Sequence, residues 1–234
     1  MSAVAQSLFF FACHLFSAKA LIFSGISTTC SSSNFKHYFV ESNHTDDDFF
    51  QFNFELLGHK FQFTSCDDVF SKNGIDEGSL VLIKTLLKFK ENFSGEILDI
   101  ACGYGAIGII LGKFLENAKI DMCDINNLAI KLCKINSDKN SKNYRKIFAS
   151  DMWENVTDSY DHIVSNPPIK TGKKVLLDFL NGLKEHLKSN GDVTIVIKKN
   201  LGADSTKKYL NEIFGNCEVL ERERGYYILQ SKNK

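Results

Sequence analysis

The chain has 234 residues, 44% of them hydrophobic and 24% charged, and its 28 basic residues are balanced by 28 acidic ones. That composition describes an ordinary globular protein with one catalytic-size domain, and zero net charge argues against a strongly steered polyanion binder. The 7 cysteines are scattered and contain no C-x-x-C pair, which indicates neither a disulfide framework nor a zinc site and fits a reducing, cytoplasmic setting.

Residues 1–35 are serine-rich, lack Asp and Glu, and carry Lys19 as their only formal charge. No positive charge precedes Leu8-Phe9-Phe10-Phe11, as a signal peptide would need, and the arginines of a transit peptide are missing. Ser2, Gln6, Ser7, His14 and Ser17 interrupt any membrane span. This segment is expected to be an extension, disordered or used in targeting, with the folded domain over 36–234.

Within that domain, residues 36–75 are expected to hold an N-terminal hairpin. Phe50, Phe52, Phe54 and Leu56 alternate on one face, Leu57-Gly58-His59 turns the chain, and Phe61 and Phe63 return it. Residues 76–234 are expected to form an α/β core. Leu80, Ile83 and Leu87 mark a helix after the acidic start at Asp76. A buried strand over Glu96–Ala101 ends in glycines that lead into a helix at Ile107–Leu115, and Lys119–Asp124 is the next strand. Asn126 or Asn127 caps a helix bearing Leu128, Leu132 and Ile135. Short strands follow at Lys146–Ala149 and His162–Ser165. A helix carrying Leu176, Phe179, Leu180, Leu183 and Leu187 is expected to stop at Gly191, before a strand at Val193–Ile197. After a helix with Tyr209, Leu210, Ile213 and Phe214, stopped by Gly215, come strands at Cys217–Leu220 and Tyr226–Leu229. Their link, Glu221–Gly225, is too short for a parallel crossover, so the sheet is expected to end in an antiparallel hairpin.

The segment ILDIACGYGAIGI contains Gly103, Gly105 and Gly108, a G-x-G-x-x-G between a strand and a helix, and Asp124 ends the following strand where an acid can bond ribose hydroxyls. A nicotinamide or flavin enzyme is open on those residues alone. Asp99, four residues ahead of Gly103, brings negative charge towards a loop that a dinucleotide enzyme uses for pyrophosphate, and so favours a cofactor without phosphates and with a positive centre. S-adenosylmethionine is such a cofactor. Asp151, ending the third strand, offers an acceptor for the adenine amino group. Three carboxylates at consecutive strand ends would then surround one crevice.

Both prolines of the chain stand in VSNPPIK. Proline locks its own torsion, offers no N–H and extends the residue before it, so Asn166-Pro167-Pro168 is a stiff loop with exposed acceptors beside the same crevice. The Asn166 side-chain oxygen and the Pro167 carbonyl could each accept one N–H of an exocyclic amine and aim its lone pair at a methyl carbon. Holding two reactants in line can be worth roughly 7–11 kcal/mol.

The set Asp99-x-x-Cys102-Gly103-x-Gly105, Asp124, Asp151 and Asn166-Pro167-Pro168-Ile169 resembles class I S-adenosylmethionine-dependent methyltransferases acting on amino nitrogens. Asp68-Val69-Phe70-Ser71 followed by Ile75-Asp76-x-Gly78-Ser79 resembles the GVFS and LDxGS elements of the small-subunit ribosomal RNA guanine-N2 methyltransferase family. The likeness runs from about His37 to Leu229. It implies a Rossmann-like methyltransferase fold: a mostly parallel seven-stranded sheet ending in an antiparallel hairpin, with an N-terminal β-hairpin. It implies S-adenosylmethionine as cofactor, with Asp99 and the loop of Cys102, Gly103, Tyr104 and Gly105 at the methionine part, Asp124 at the ribose, Asp151 and Met152 at the adenine, and Ala101 and Ile125 also binding the cofactor. Asn166, Pro167, Pro168 and Ile169 are the expected catalytic loop, with Asn166 also touching cofactor. Phe70, Ser71, Lys170 and Lys173 are the expected substrate contacts, and ribosomal RNA or the small ribosomal subunit the expected partner of a monomer without membrane or metal.

The sequence departs from the family twice. Asp68 replaces the glycine before Val69-Phe70-Ser71. Ile169 stands where adenine-N6 and glutamine methyltransferases carry Tyr or Phe, so no stacking comes from that position; Phe70 is either a substitute platform or one more aromatic of the hairpin core. Methylation of a protein glutamine or a small amine, and a non-catalytic cofactor-binding assembly factor, are the competing readings.

Overall fold

The computed structural model describes residues 28–31, 49–67, 69, 74–141, 143–169 and 173–234. Phe70, Ser71 and Lys170 lie outside them, as does most of the segment read as an extension. Thr28–Ser31 (β1) pairs antiparallel with Phe49–Leu56 (β2), which pairs with His59–Cys66 (β3). The expected hairpin is thus part of a three-stranded sheet, with Phe52, Phe54, Phe61 and Phe63 buried on its inner face.

The core follows in alternation: helix α1 (Glu77–Lys88), β4 (Gly95–Ile100), α2 (Ala106–Phe114), β5 (Ala118–Asp124), α3 (Asn127–Asn140), β6 (Tyr144–Ala149), β7 (Tyr160–Ser165), α4 (Lys173–Gly182), β8 (Leu187–Lys198), α5 (Ala203–Phe214), β9 (Glu218–Glu223) and β10 (Tyr226–Lys232). The seven strands lie in the order β6-β5-β4-β7-β8-β10-β9. The first five are mutually parallel, while β10 inserts antiparallel between β8 and β9. Ile97, Leu98, Ile120, Ile163, Val164, Val193 and Ile195 are buried, as strands with both faces covered require. This is the expected Rossmann-like architecture, a mostly parallel seven-stranded sheet ending in an antiparallel hairpin. Strand order reverses between β4 and β7, and open α/β sheets place ligands beyond the strand ends at such a switch.

The hairpin docks on the core by aromatic and amide contacts. Tyr104 meets Phe52 and Phe63 edge-on, with ring centroids 6.0 and 5.7 Å away. The buried Asn136 of α3 accepts the Thr64 N–H at 2.7 Å and donates to the Thr64 and Tyr104 carbonyls at 2.9 and 3.0 Å. Asn140, one turn on, treats Gln62 the same way.

The expected boundary that differs most is the helix stop at Gly191. Gly191 does not stop a helix: α4 ends at Gly182, and Gly191 is buried inside β8. The Trp153 indole N–H takes the Phe179 carbonyl at 3.0 Å and His186 Nδ1 lies 2.8 Å from the Gly182 carbonyl, which closes the last turn. Pairing then shifts from Tyr160–Leu187 to His162–Asp192, a bulge in which Asn190 has φ 64° and a Cβ on Gly191 would stand 2.9 to 3.0 Å from three carbonyl oxygens. The strands expected at Lys146, His162 and Cys217 also start at Tyr144, Tyr160 and Glu218.

No helix among the described residues is long and apolar enough to cross a membrane.

Candidate active site

A cleft of about 660 Å³ opens beyond the ends of β4, β5 and β7, lined by the loop after β4, by Asp124 and Asn126, and by Asn166 to Ile169. Asp76 and Ser79 from the start of α1 and Tyr226 from β10 complete its walls.

The loop after β4 is shaped by positive φ at Ala101 (59°), Gly103 (56°) and Gly105 (91°), and by the Gly105 N–H bonding back to the Cys102 carbonyl at 3.0 Å. A Cβ on Gly103 would meet nothing within 4 Å, so ligand can approach that backbone closely. Asp124 grips the loop from the neighbouring strand, accepting the Gly103 N–H at 2.8 Å on one oxygen and the Asn126 N–H at 2.9 Å on the other. Each oxygen keeps a second lone pair on the cleft wall. Asn126 in turn caps α3, accepting from the Leu128 N–H at 2.9 Å.

Asp99 does not line the cleft. It is fully buried beneath the loop, where one oxygen accepts the Gly108 N–H at 2.8 Å and the other, Oδ1, has no hydrogen-bond partner among the described residues. Burial pushes its carboxyl up to about 8, against the pull of the Gly108 N–H and with a further push from Asp124. Cys102, also buried in the loop, has its thiol raised, first by a contact with Cys133 and then by burial.

Ala101, Cys102, Gly103, Tyr104 and Asp124 line this one cleft, while Gly105 shapes the loop from behind without lining it. Ile125 is 64% exposed, Asp151 is exposed, and neither they nor Met152 line the cleft. Strand β6 ends at Ala149, and Asp151 and Met152 fall in the tight turn beyond it, where the Met152 carbonyl accepts from the Ser150 hydroxyl at 2.8 Å. Lys173 opens α4.

On the acceptor side, the Ser165 hydroxyl donates to the Ile100 carbonyl at 2.7 Å and ties β7 to β4 just before the proline loop. The Ile169 N–H donates to the Pro167 carbonyl at 2.8 Å, which leaves that oxygen one lone pair. Asn166 Nδ2 donates to Asp76 Oδ1 at 3.1 Å and to Ser79 Oγ at 3.0 Å. Its oxygen has no hydrogen-bond partner among the described residues. Asp76 is legible in the sequence as a helix start and as part of a family element, Ser79 only as part of that element, and Tyr226 only by its place in a strand; none of the three is expected there as a site residue.

Three amides of the loop region, those of Gly103, Gly105 and Gly108, are already taken by protein oxygens, two of them carboxylates. A pyrophosphate would need such donors free. An orphaned buried carboxyl oxygen, an acceptor pair for a diol and an approachable loop instead fit the cationic, phosphate-free S-adenosylmethionine.

The comparisons with known proteins agree. The family model for the methyltransferase small domain matches residues 60–230. The chain belongs to the methyltransferase small domain family. This methyltransferase is 38% identical over 200 residues to the protein YbxB of Bacillus subtilis, which has no assigned function, covering 84% of this chain and 98% of that one. It is 33% identical over 175 residues to ribosomal RNA small subunit methyltransferase C of Vibrio parahaemolyticus, covering 72% of this chain but only 48% of that enzyme. It spans about half the length of such enzymes. The fold also matches the Thermus thermophilus 16S rRNA N2 G1207 methyltransferase, solved with AdoMet and guanosine, at TM-score 0.72 and 22% identity over 96% of this chain and 62% of that one.

Proposed function

We propose that this methyltransferase transfers a methyl group to an exocyclic amine, guanine N2 of small-subunit ribosomal RNA, acting as a monomer in the cytoplasm. The observation that carries the reading is the orientation of Asn166: with both amide protons engaged by Asp76 and Ser79, its oxygen is what remains for a substrate N–H. The spare lone pair of the Pro167 carbonyl supplies a second acceptor. Together they hold both protons of a planar amine, whose lone pair is otherwise delocalised into the base, and turn it towards the methyl donor. S-adenosylmethionine, when bound, supplies an electrophilic methyl on a sulfonium leaving group. The chain's residues need no strong base, because the amine nitrogen acidifies once methylated and its proton passes to solvent. Asp124 would hold the ribose hydroxyls and Asp99 the positive charge from beneath the loop. Lys198, whose ammonium lies 5.5 Å over the Tyr226 ring, is suited to an RNA phosphate at the mouth. The likeness to ribosomal RNA small subunit methyltransferase C and to the 16S rRNA N2 G1207 methyltransferase supports this choice of base.

The test is nucleoside mass mapping of ribosomal RNA from a strain lacking the protein, with complementation by wild type and Asn166→Ala. One missing N2-methylguanosine is expected, restored by wild type only. In vitro, Asn166→Ala should lower kcat about 100-fold or more while the variant still binds cofactor. Wild-type rates in that variant, or methyl transfer to total protein but not to ribosomal subunits, would overturn the reading.

A further inference from the structure

The amide of Asn166 is held by residues 87 and 90 positions away in sequence, outside its own loop. We infer that Asp76 and Ser79 are positioning residues that dictate which end of the Asn166 amide faces the acceptor, and so restrict the site to substrates that donate N–H. The inference rests on the proposed amine transfer and adds to it the source of its selectivity.

The two ends of an asparagine amide are nearly equal in size, so packing alone does not choose between them. Chemistry does: a carboxylate only accepts, so the Asn166 nitrogen must face Asp76. Ser79 Oγ, in a residue only 6% exposed, takes the second proton. Were the amide reversed, its oxygen would face a carboxylate and its N–H groups would face the N–H groups of the substrate. A charged acceptor on the nitrogen also polarises the amide and makes its oxygen a stronger acceptor.

The pair that sets the orientation is itself rigid. Asp76 caps α1, its Oδ1 accepting the Ser79 N–H at 3.1 Å, so the oxygen that fixes the helix start also fixes Asn166. Gly78 between them lies so close to β10 that a Cβ there would stand 3.0 Å from the Tyr226 ring. The first turn of α1 therefore has no room to slide towards that wall.

The experiment compares Asp76→Ala/Ser79→Ala, Asp76→Asn and wild type in kcat, KM, affinity for S-adenosylhomocysteine, thermal midpoint, and the NMR signals of the Asn166 side-chain amide. The double variant is expected to lose about 30-fold or more in kcat, with affinity for S-adenosylhomocysteine within about twofold. Its Asn166 amide protons should lose their protection from exchange. Asp76→Asn, whose amide oxygen can accept both bonds, should recover kcat to within about threefold of wild type. A double variant with wild-type kcat, or Asp76→Asn as impaired as the double variant, overturns the inference. If the double variant does not fold, Ser79→Ala alone, which keeps the helix cap, must lower kcat without changing cofactor affinity, and unchanged kcat overturns the inference. An inactive wild type on every amine substrate refutes the amine reading itself, whereas an active wild type with an equally active double variant refutes the positioning role alone.

Discussion

Replacing Asp99 by Asn isolates the charge of the carboxyl under the loop, because an asparagine oxygen can keep the Gly108 bond. A rise from 3.8 to about 8 means that ionising Asp99 in the free protein costs on the order of 6 kcal/mol more than in water, at about 1.4 kcal/mol for each tenfold change in acidity. At pH 7 roughly nine in ten free molecules hold that proton. The folded state binds it more tightly than the unfolded chain, so the contribution to stability is full below about pH 4 and is lost as pH rises to about 8. Wild type should therefore lose stability across that window relative to Asp99→Asn, measured as urea midpoints at each pH. Binding a sulfonium and an ammonium above the carboxyl favours its ionised form. Calorimetry with S-adenosylmethionine at pH 7, in buffers of different protonation enthalpy, should show close to one more proton released by wild type than by Asp99→Asn. Measuring the variant alongside cancels the titration of the ligand's own amino group. Equal proton release by both proteins, with parallel affinities from pH 6 to 9, would refute the coupling between this carboxyl and the cofactor.

Other consequences are structural. Asn136→Ala leaves the Thr64 N–H and two carbonyls without their partner in a buried setting, and should lower stability by about 1–3 kcal/mol while loosening the hairpin to hydrogen exchange. Arg145→Ala removes the cation that meets the fully buried Asp121 at 2.6 Å. With the Tyr160 hydroxyl and the Lys146 N–H as the remaining partners of that carboxylate among the described residues, a loss of about 3 kcal/mol in chemical denaturation is expected. Gly108→Ala drives a methyl to 2.5 Å from the Met122 sulfur and should cost about 1–3 kcal/mol, a loss that Met122→Ala, by making room, should reduce.

The alternation of strands and helices was legible because each buried strand is a short apolar run punctuated by glycine, proline or aspartate, and each helix carries its apolar residues at helical spacing. The capping residue of α3 and the antiparallel ending could be read because both depend on neighbours a few positions away. Gly191 misled for the same reason: a glycine after an apolar helix signals a stop, and only the carbonyls of Tyr160 and Asp161, on a different strand, reveal that it fills a bulge. Asn136 and Asn140 show the limit from the other side. Their spacing of four is visible, but their partners are backbone groups of β3, 72 and 78 residues away, and a polar pair on a helix reads as a solvated face until that strand is laid against it.

The carboxylates carry the larger lesson. Sequence reasoning treats Asp99, Asp124 and Asp151 alike, as acids at strand ends aimed at a ligand. In the structure they diverge according to what else competes for their oxygens. Asp99 is consumed by Gly108 and burial, Asp124 divides itself between loop amides and the cleft, and Asp151 turns outward in a tight turn. Asp76, read from sequence as a helix start, caps its helix and grips Asn166 with the same oxygen. By satisfying the loop's own N–H groups internally, Asp99 and Asp124 remove donors that an anion would seek. Selection of a positive, phosphate-free cofactor then follows as much from the donors that are missing as from the acids that are present.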